Sequence, residues 1–257
     1  MNKICFECID STNKYLKDNY VNLDNELFVR ANTQTQGKGR TNRNWDSEDN
    51  KNLLFSLLLK DKKYFNYYAS ISILTAYSII EVLSEYSISD LSIKWPNDIY
   101  VKDKKICGIL LEAISTNEME CLIVGVGVNV NQTEFKSEYI NEPTSMKKLL
   151  NKDIDLDELE DKIYSKLINN LYRLIDGYDY YLEIAKYDYL KNKEVYALID
   201  NLEKLVKVIG IDKDYSLKIV VENKETNITS GEISFHVIGG CKWVSYMKIY
   251  YYLLGNK

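Results

Sequence analysis

The stretch Ile99–Val128, IYVKDKKICGILLEAISTNEMECLIVGVGV, decides how this chain folds. It holds three β-rich runs, Ile99–Val101, Ile106–Ile114 and Met119–Val128, parted only by Lys102-Asp103-Lys104 and Ser115-Thr116-Asn117-Glu118. Short polar connectors between such runs predict an antiparallel meander. Gly108, Gly125 and Gly127 interrupt these strands. An interior glycine weakens a strand, so it marks close approach of the backbone to a ligand or another chain, with a β-bulge as the competing reading.

Upstream, Lys94-Trp95-Pro96-Asn97-Asp98 joins the strand end Ser92-Ile93 to Ile99. A strand running straight into a Pro-Asn-Asp turn places Lys94 at the rim of the sheet, beside whatever the sheet holds. Leu53–Leu59, LLFSLLL, is a continuous apolar run that predicts a strand buried on both faces. From Tyr67 to Leu83 the apolar residues go nearly all round a helix, which predicts a helix packed on the sheet. Asp157–Ile175 carries one stripe (Leu159, Ile163, Leu167, Leu171, Leu174), a Glu158→Lys162 pair and a stop at Gly177. The aromatic Tyr178–Tyr189 stretch reads as packing, and short strands follow at Leu205–Ile209, Leu217–Val221 and Ile228–Phe235.

The β-prone Glu26–Ala31 leads into Gln34–Trp45, QTQGKGRTNRNW. Gly37 and Gly39 let backbone N–H groups approach a ligand, and Lys38, Arg40 and Arg43 add full positive charges. Trp45 offers a flat face. The loop fits a phosphate beside a planar group, and a solvated basic turn is the alternative. Its cations repel one another, so it is expected to order when an anion arrives. Nearer the start, Ser11-Thr12-Asn13 heads a short helical segment as an N-cap, leaving helix N–H groups pointed outward.

At 257 residues the chain has room for one or two domains. Its net charge of −5, from 33 basic and 38 acidic residues, offers no broad cationic face for a polyanion. Five cysteines, at 5, 8, 107, 121 and 241, are an odd number without a disulfide framework. The lone Cys5-x-x-Cys8 and the single His236 leave a closed zinc site without ligands. The N-terminus lacks a signal pattern, and no uninterrupted apolar run reaches membrane-spanning length, so a reduced, cytoplasmic protein is expected.

Taken in order, Ser11-Thr12-Asn13, the Gly37–Arg43 loop, Lys94–Asp98, Lys105-x-x-Gly108-Ile-Leu-x-Glu112 and Gly125-Val-Gly127-Val-Asn129-Val-Asn131 resemble the biotin protein ligases over roughly residues 5–131. Ser230-Gly231-Glu232-Ile233-Ser234 is a weaker echo. The resemblance implies an α+β fold of the class II aminoacyl-tRNA synthetase/biotin ligase kind, with a mixed, largely antiparallel sheet flanked by helices and a small SH3-like β-barrel at the C-terminus. It implies a catalytic biotin/ATP-binding domain over 1–200 and an SH3-like module over 201–236, shortened by about one hairpin. The apolar aromatic tail, 237–257, has no counterpart in the family.

The resemblance also implies an activity: ATP activates biotin to biotinyl-5′-AMP, and a lysine of a biotin carboxyl carrier protein takes the biotinyl group. Carried over position by position, Ser11, Thr12, Asn13, Gln34, Gly37, Lys38, Arg40, Lys94 and Gly108 would bind biotin. Arg40, Arg43, Trp45, Lys105 and Asn129 would meet the nucleotide, and Lys94 with Arg40 would carry catalysis. Mg²⁺ would arrive with ATP, and no dedicated metal site, DNA partner or membrane is expected, while a homodimer is open. Two departures from the family loop stand out: Lys38 replaces an arginine, losing the bidentate fork, and Asn42 replaces a glycine. The alternatives are a lipoate or octanoate ligase of the same fold and a non-catalytic biotin-binding regulator.

Overall fold

The computed structural model describes residues 2–39, 44–135, 142–199, 202–229 and 235–237. The chain divides into two compact units, one of residues 1–189 with 213–215 and the other of 190–212 with 216–257. Among the described residues of the first unit, seven strands form one sheet: β1 (Lys3–Ile9), β2 (Leu27–Gln34), β3 (Leu53–Leu59), β4 (Leu91–Lys94), β5 (Asp98–Val101), β6 (Lys104–Ser115) and β7 (Met119–Val128). Their order across the sheet is β1-β2-β3-β7-β6-β5-β4. The predicted meander is β5-β6-β7, antiparallel throughout, and only β1 with β2 is parallel. β1 went unpredicted. Its KICFECI alternates, and Ile4 and Phe6 pack against the cluster around Leu27, Val29 and Leu58.

Residues opposite one another in the register share a face of the sheet, which sorts the two sides. On one side Phe28 of β2 stacks on Phe55 of β3 at 4.6 Å and meets Tyr164 edge-on at 5.5 Å. Tyr164 belongs to α4 (Leu156–Ile175), which lies against α2 (Tyr68–Glu85). Asp155 caps α4 by accepting from the Asp157 and Glu158 amides at 2.8 and 3.1 Å. Gly177, at φ +91°, ends it: its amide donates to the Leu174 carbonyl and the Tyr178 amide to the Arg173 carbonyl, the pairing of a Schellman stop. The predicted stripe of α4 is buried, and Lys162 pairs with Glu158 at 2.8 Å.

A buried charge cluster also fastens α4 to the sheet. Arg30 of β2 bonds Asp157 and reaches Glu160 at 2.8 Å, and Lys3 of β1 pairs with the same Glu160, whose side chain is fully buried. The stretch Lys62–Glu85, which includes α2, is long and apolar enough by composition to cross a bilayer, although polar residues interrupt it, so the expectation of no uninterrupted apolar run stands. Of its most apolar 18-residue window 67% is buried within the protein, as in a core helix.

On the other side, α1 (Thr12–Asn19) packs over β2, β3 and β7 by burying Leu16 against Leu27, Val29, Leu58 and Ile123. Val29 opposes Ser56, Ser56 opposes Gly125, and Gly125 opposes Leu110. Two residues along, the row runs Leu54, Gly127, Gly108, Asp98, Lys94. The three meander glycines therefore lie on the α1 side.

The second unit is an antiparallel sheet of β8 (Glu194–Ile199), β9 (Leu202–Ile211), β10 (Leu217–Val221), β11 (Lys224–Ile228) and β12 (Phe235–Val237), ordered β11-β10-β9-β8-β12 among the described residues. This is consistent with an SH3-like module. β8 and β11 were not foreseen from the sequence. β11 reads KETNI with no buried residue, so it exists through pairing with β10 and not through an apolar face of its own. β8 pairs with β9, and the second compact unit begins at Leu190. Residues 230–234 and 238–257, with the Ser230–Ser234 echo and nearly all of the tail, lie outside the described residues.

Candidate functional site

A network of buried polar side chains begins at the head of α1. Ser11, Thr12 and Asn13 are all buried there. Ser11 caps the helix weakly, accepting from the Lys14 amide at 3.5 Å, while its own amide donates to Asp10 at 2.7 Å and holds that carboxylate's pKa below its usual value. The Thr12 amide donates to Gln34 Oε1 at 2.8 Å. Ser56 Oγ lies 2.7 Å from Thr12 Oγ1 and 2.5 Å from Asn13 Oδ1. An amide oxygen can only accept, so Ser56 gives its single proton to Asn13 and receives one from Thr12. Asn13 then donates to Glu112 at 2.9 Å. Gln34, Thr12, Ser56, Asn13 and Glu112 form one chain of hydrogen bonds along the sheet surface.

Close contacts explain the glycines beside this chain. A Cβ on Gly125 would lie 2.1 Å from Asn13 Oδ1. A Cβ on Gly127 would lie 2.5 Å from Trp45 Cε2, and one on its cross-strand partner Gly108 2.8 Å from Trp45 Cζ3. Both are closer than real Cβ atoms come. Gly108 and Gly127 thus make a floor of bare backbone on which the Trp45 indole lies flat. The close approach that the glycines predict is real, but here the approaching groups are the chain's own Trp45 and Asn13.

Trp45 is held at the base of the Gly37–Arg43 loop. Its amide donates to the Gly37 carbonyl at 2.9 Å, and Lys38 pairs with Asn44 as an isolated antiparallel bridge. Lys38 is exposed there. Arg40 and Arg43, assigned to biotin and nucleotide, lie outside the described residues, as does Asn42. The expected ordering of the loop on an anion concerns those same positions.

Lys105 reaches over the floor. Its Nζ sits 5.5 Å from the Trp45 ring centroid and would be 3.2 Å from a Gly108 Cβ. It approaches Asp98 Oδ1 at 2.8 Å, yet that buried oxygen has no aligned hydrogen bond, so the contact is an ion pair by distance and not by angle. Trp45 Nε1 and Ser47 Oγ are the other buried side-chain atoms without a hydrogen-bond partner among the described residues. Lys94 closes the same cross-strand row, opposite Asp98, with its Nζ 5.4 Å from the centre of the Tyr100 ring. Asn129 is 3% exposed and donates to the Thr144 carbonyl at 3.0 Å, so its amide braces the loop after β7.

Ser56 belongs to the site without having been singled out, and Asp98 and Glu112 stood within quoted motifs but were given no role. The one polar residue inside LLFSLLL was the available signal for Ser56. Cys107 adjoins Gly108, but full burial pushes its thiol pKa far up, so it stays a neutral thiol and supplies no nucleophile. Among the described residues no group of three His, Cys, Asp or Glu side chains could hold a metal ion. The site therefore offers a flat floor, cations along one row and a fixed hydrogen-bond chain beside it. That suits a ligand with a planar polar ring and an anionic group.

Residues 5–129 match the model of the biotin/lipoate A/B protein ligase family. The chain is 31% identical to the biotin protein ligase of Aquifex aeolicus solved with biotin and ATP, with a TM-score of 0.82 over 92% of this chain and 99% of that one. The chain belongs to this ligase family. It is also 28% identical to the bifunctional ligase/repressor BirA of Escherichia coli across 88% of its own length and 71% of the relative. The match to the BirA of Salmonella typhimurium, 31% identical, spans 52% of this chain and 42% of that protein.

Proposed function

We propose that the protein joins biotin to ATP, giving biotinyl-5′-AMP and pyrophosphate, and passes the biotinyl group to a lysine of a carboxylase's carrier domain. The observation that carries this reading is the bare Gly108–Gly127 floor, with Lys105 over it and the Gln34–Thr12–Ser56–Asn13–Glu112 chain beside it. A ureido ring presents N–H donors and a carbonyl acceptor in one plane, and that hydrogen-bond chain has groups of both kinds fixed in advance. The near-whole-length likeness to a ligase solved with biotin and ATP favours biotin over lipoate.

In the first half-reaction the biotin carboxylate attacks the α-phosphorus in line and pyrophosphate leaves. Two anions must meet, so a cation between them lowers the barrier and stabilises the charge that spreads in the transition state. Lys105 is the cation that the described residues hold over the floor, and Lys94 stands at the end of its row. Arg40 and Arg43 are assigned to the carboxylate and phosphates by resemblance, and Trp45 to the adenine. In the second half-reaction the acceptor amine attacks the anhydride carbonyl, AMP departs, and the amine's proton is lost to base. Asp98, beside Lys105, is the carboxylate assigned to that proton. No covalent enzyme intermediate is needed. Mg²⁺ would enter as the ATP complex, held by phosphates and water. A cytoplasmic setting, absence of DNA binding (supported by the acidic balance) and a possible homodimer complete the reading.

Mass spectrometry of the protein mixed with ATP and biotin tests the reading. A retained species of biotinyl-adenylate mass is expected, and lipoate in place of biotin should give none. Lys105→Gln should cut its formation about a hundredfold, the usual cost of one transition-state donor. The same change at Lys94, which the resemblance places between carboxylate and phosphate, should cost at least as much. Adenylate formation with lipoate and none with biotin would contradict the assignment.

A further inference from the structure

We infer that Tyr215 is a positioning residue for the Lys94–Asp98 turn and acts on it through Trp95. This rests on the ligase reading above. Trp95 is 5% exposed, and its indole Nε1 donates to the Tyr215 carbonyl at 2.9 Å. Residues 213–215 connect β9 to β10 in sequence but belong to the first unit. Tyr215 holds a left-handed backbone at φ +63°, a conformation unfavourable for a bulky residue. Such an outlier persists where surrounding contacts over-determine it, and those contacts are present. The Tyr215 hydroxyl accepts from the Tyr180 amide at 3.1 Å and lies 3.3 Å from Asp179 Oδ1, to which it donates. These bonds fix the tip of the Tyr215 side chain, and with it the residue whose carbonyl receives Trp95.

What Trp95 fixes is the turn that carries the row of charges. Asn97 ties the turn to β6, donating to the Ile109 carbonyl at 2.7 Å, and Ser72 of α2 donates to the Pro96 carbonyl at 3.2 Å. Trp95 supplies a third anchor, next in sequence to Lys94 and three residues before Asp98. Asp98 in turn sets the place of the Lys105 ammonium. Catalysis by positioning is steep, with a misplacement of about 1 Å costing on the order of a hundredfold, so a loose turn is felt at the reacting atoms.

The test compares Trp95→Phe, Tyr215→Phe and the double variant in pyrophosphate release with ATP and biotin, alongside amide hydrogen exchange. Tyr215→Phe keeps the carbonyl but frees the turn that presents it, and Trp95→Phe keeps the ring but removes the donor. Each single change should lower kcat about tenfold with KM for biotin within about twofold, and the double should be no worse than the poorer single, because both act on one contact. Exchange at the Asn97 and Asp98 amides should quicken in every variant. Wild-type rates in Tyr215→Phe, or losses that multiply in the double, would overturn the inference, as would a drop in melting temperature alone. A wild type that releases no pyrophosphate removes the ligase reading, and unchanged exchange at Asn97 and Asp98 then removes the positioning claim by itself.

Discussion

Gly125 and Gly127 lie two residues apart on β7, yet an added methyl group would act on each differently. At Gly127 it would strike the Trp45 indole, which hangs from a loop base and can lift. At Gly125 it would strike Asn13, which is buried and fixed by Ser56 and Glu112. Gly127→Ala should therefore abolish the biotin-induced rise in melting temperature while lowering the unliganded melting temperature little. Gly125→Ala should lose the same response and also about 1–3 kcal/mol of stability, as overpacking does. Equal stability losses in urea titrations of the two variants would refute the distinction. At this scale much could be read in the sequence: Ser11-Thr12-Asn13, Gln34 and the glycines do converge. What could not be read is which lysine stands over the floor. The resemblance puts Lys94 first and Lys105 at the nucleotide, and only the register of β4, β5 and β6, with a bulge between Ile99 and Tyr100, separates their positions.

Among the elements, α4 is fastened to the sheet by charge as well as by its apolar stripe. Arg30→Ala would leave Glu160, whose side chain is fully buried, with Lys3 as its only paired cation among the described residues. Removing one partner of a buried pair costs about 3–5 kcal/mol, far more than an exposed pair such as Lys62–Glu118 can contribute. The urea midpoint of Arg30→Ala should fall accordingly, with KM for biotin nearly unchanged because α4 lies on the face opposite the glycines. A variant as stable as wild type would show that the cluster holds nothing. Apolar periodicity made α2, α4 and the meander legible, since these elements bury a face of their own. β11 has no such face, and its strand form comes from a partner eleven or fewer residues away in a hairpin. β1 alternates over seven residues only, too brief a signal against the N-terminal context.

For the whole molecule, the abundance of tyrosine (22 residues) has a consequence at high pH. Burial pushes the Tyr180 and Tyr215 hydroxyls up to about 12, and a hydrogen bond to Glu26 does the same for Tyr172. Unfolding returns each to an ordinary value near ~10. A folded-state pKa above the unfolded one gives stability that is complete below the unfolded value and is lost as pH rises through the folded value. The urea midpoint should thus hold steady up to about pH 10 and fall between there and about pH 12, with phenolate absorbance rising in step with unfolding. A midpoint unchanged at about pH 11 would contradict this.

The bare floor under Trp45 also constrains how the site can change. Glycine has no side chain to shorten, so every substitution at Gly108 or Gly127 adds bulk and none makes room. The floor can exclude ligands but cannot be recut to admit larger ones or to grip a new substituent. A shift in ligand preference must come from the wall, where Gln34, Thr12, Ser56 and Asn13 each have atoms that can be exchanged. Along a lineage of such proteins, the floor would stay blank while new specificities were written at the head of α1.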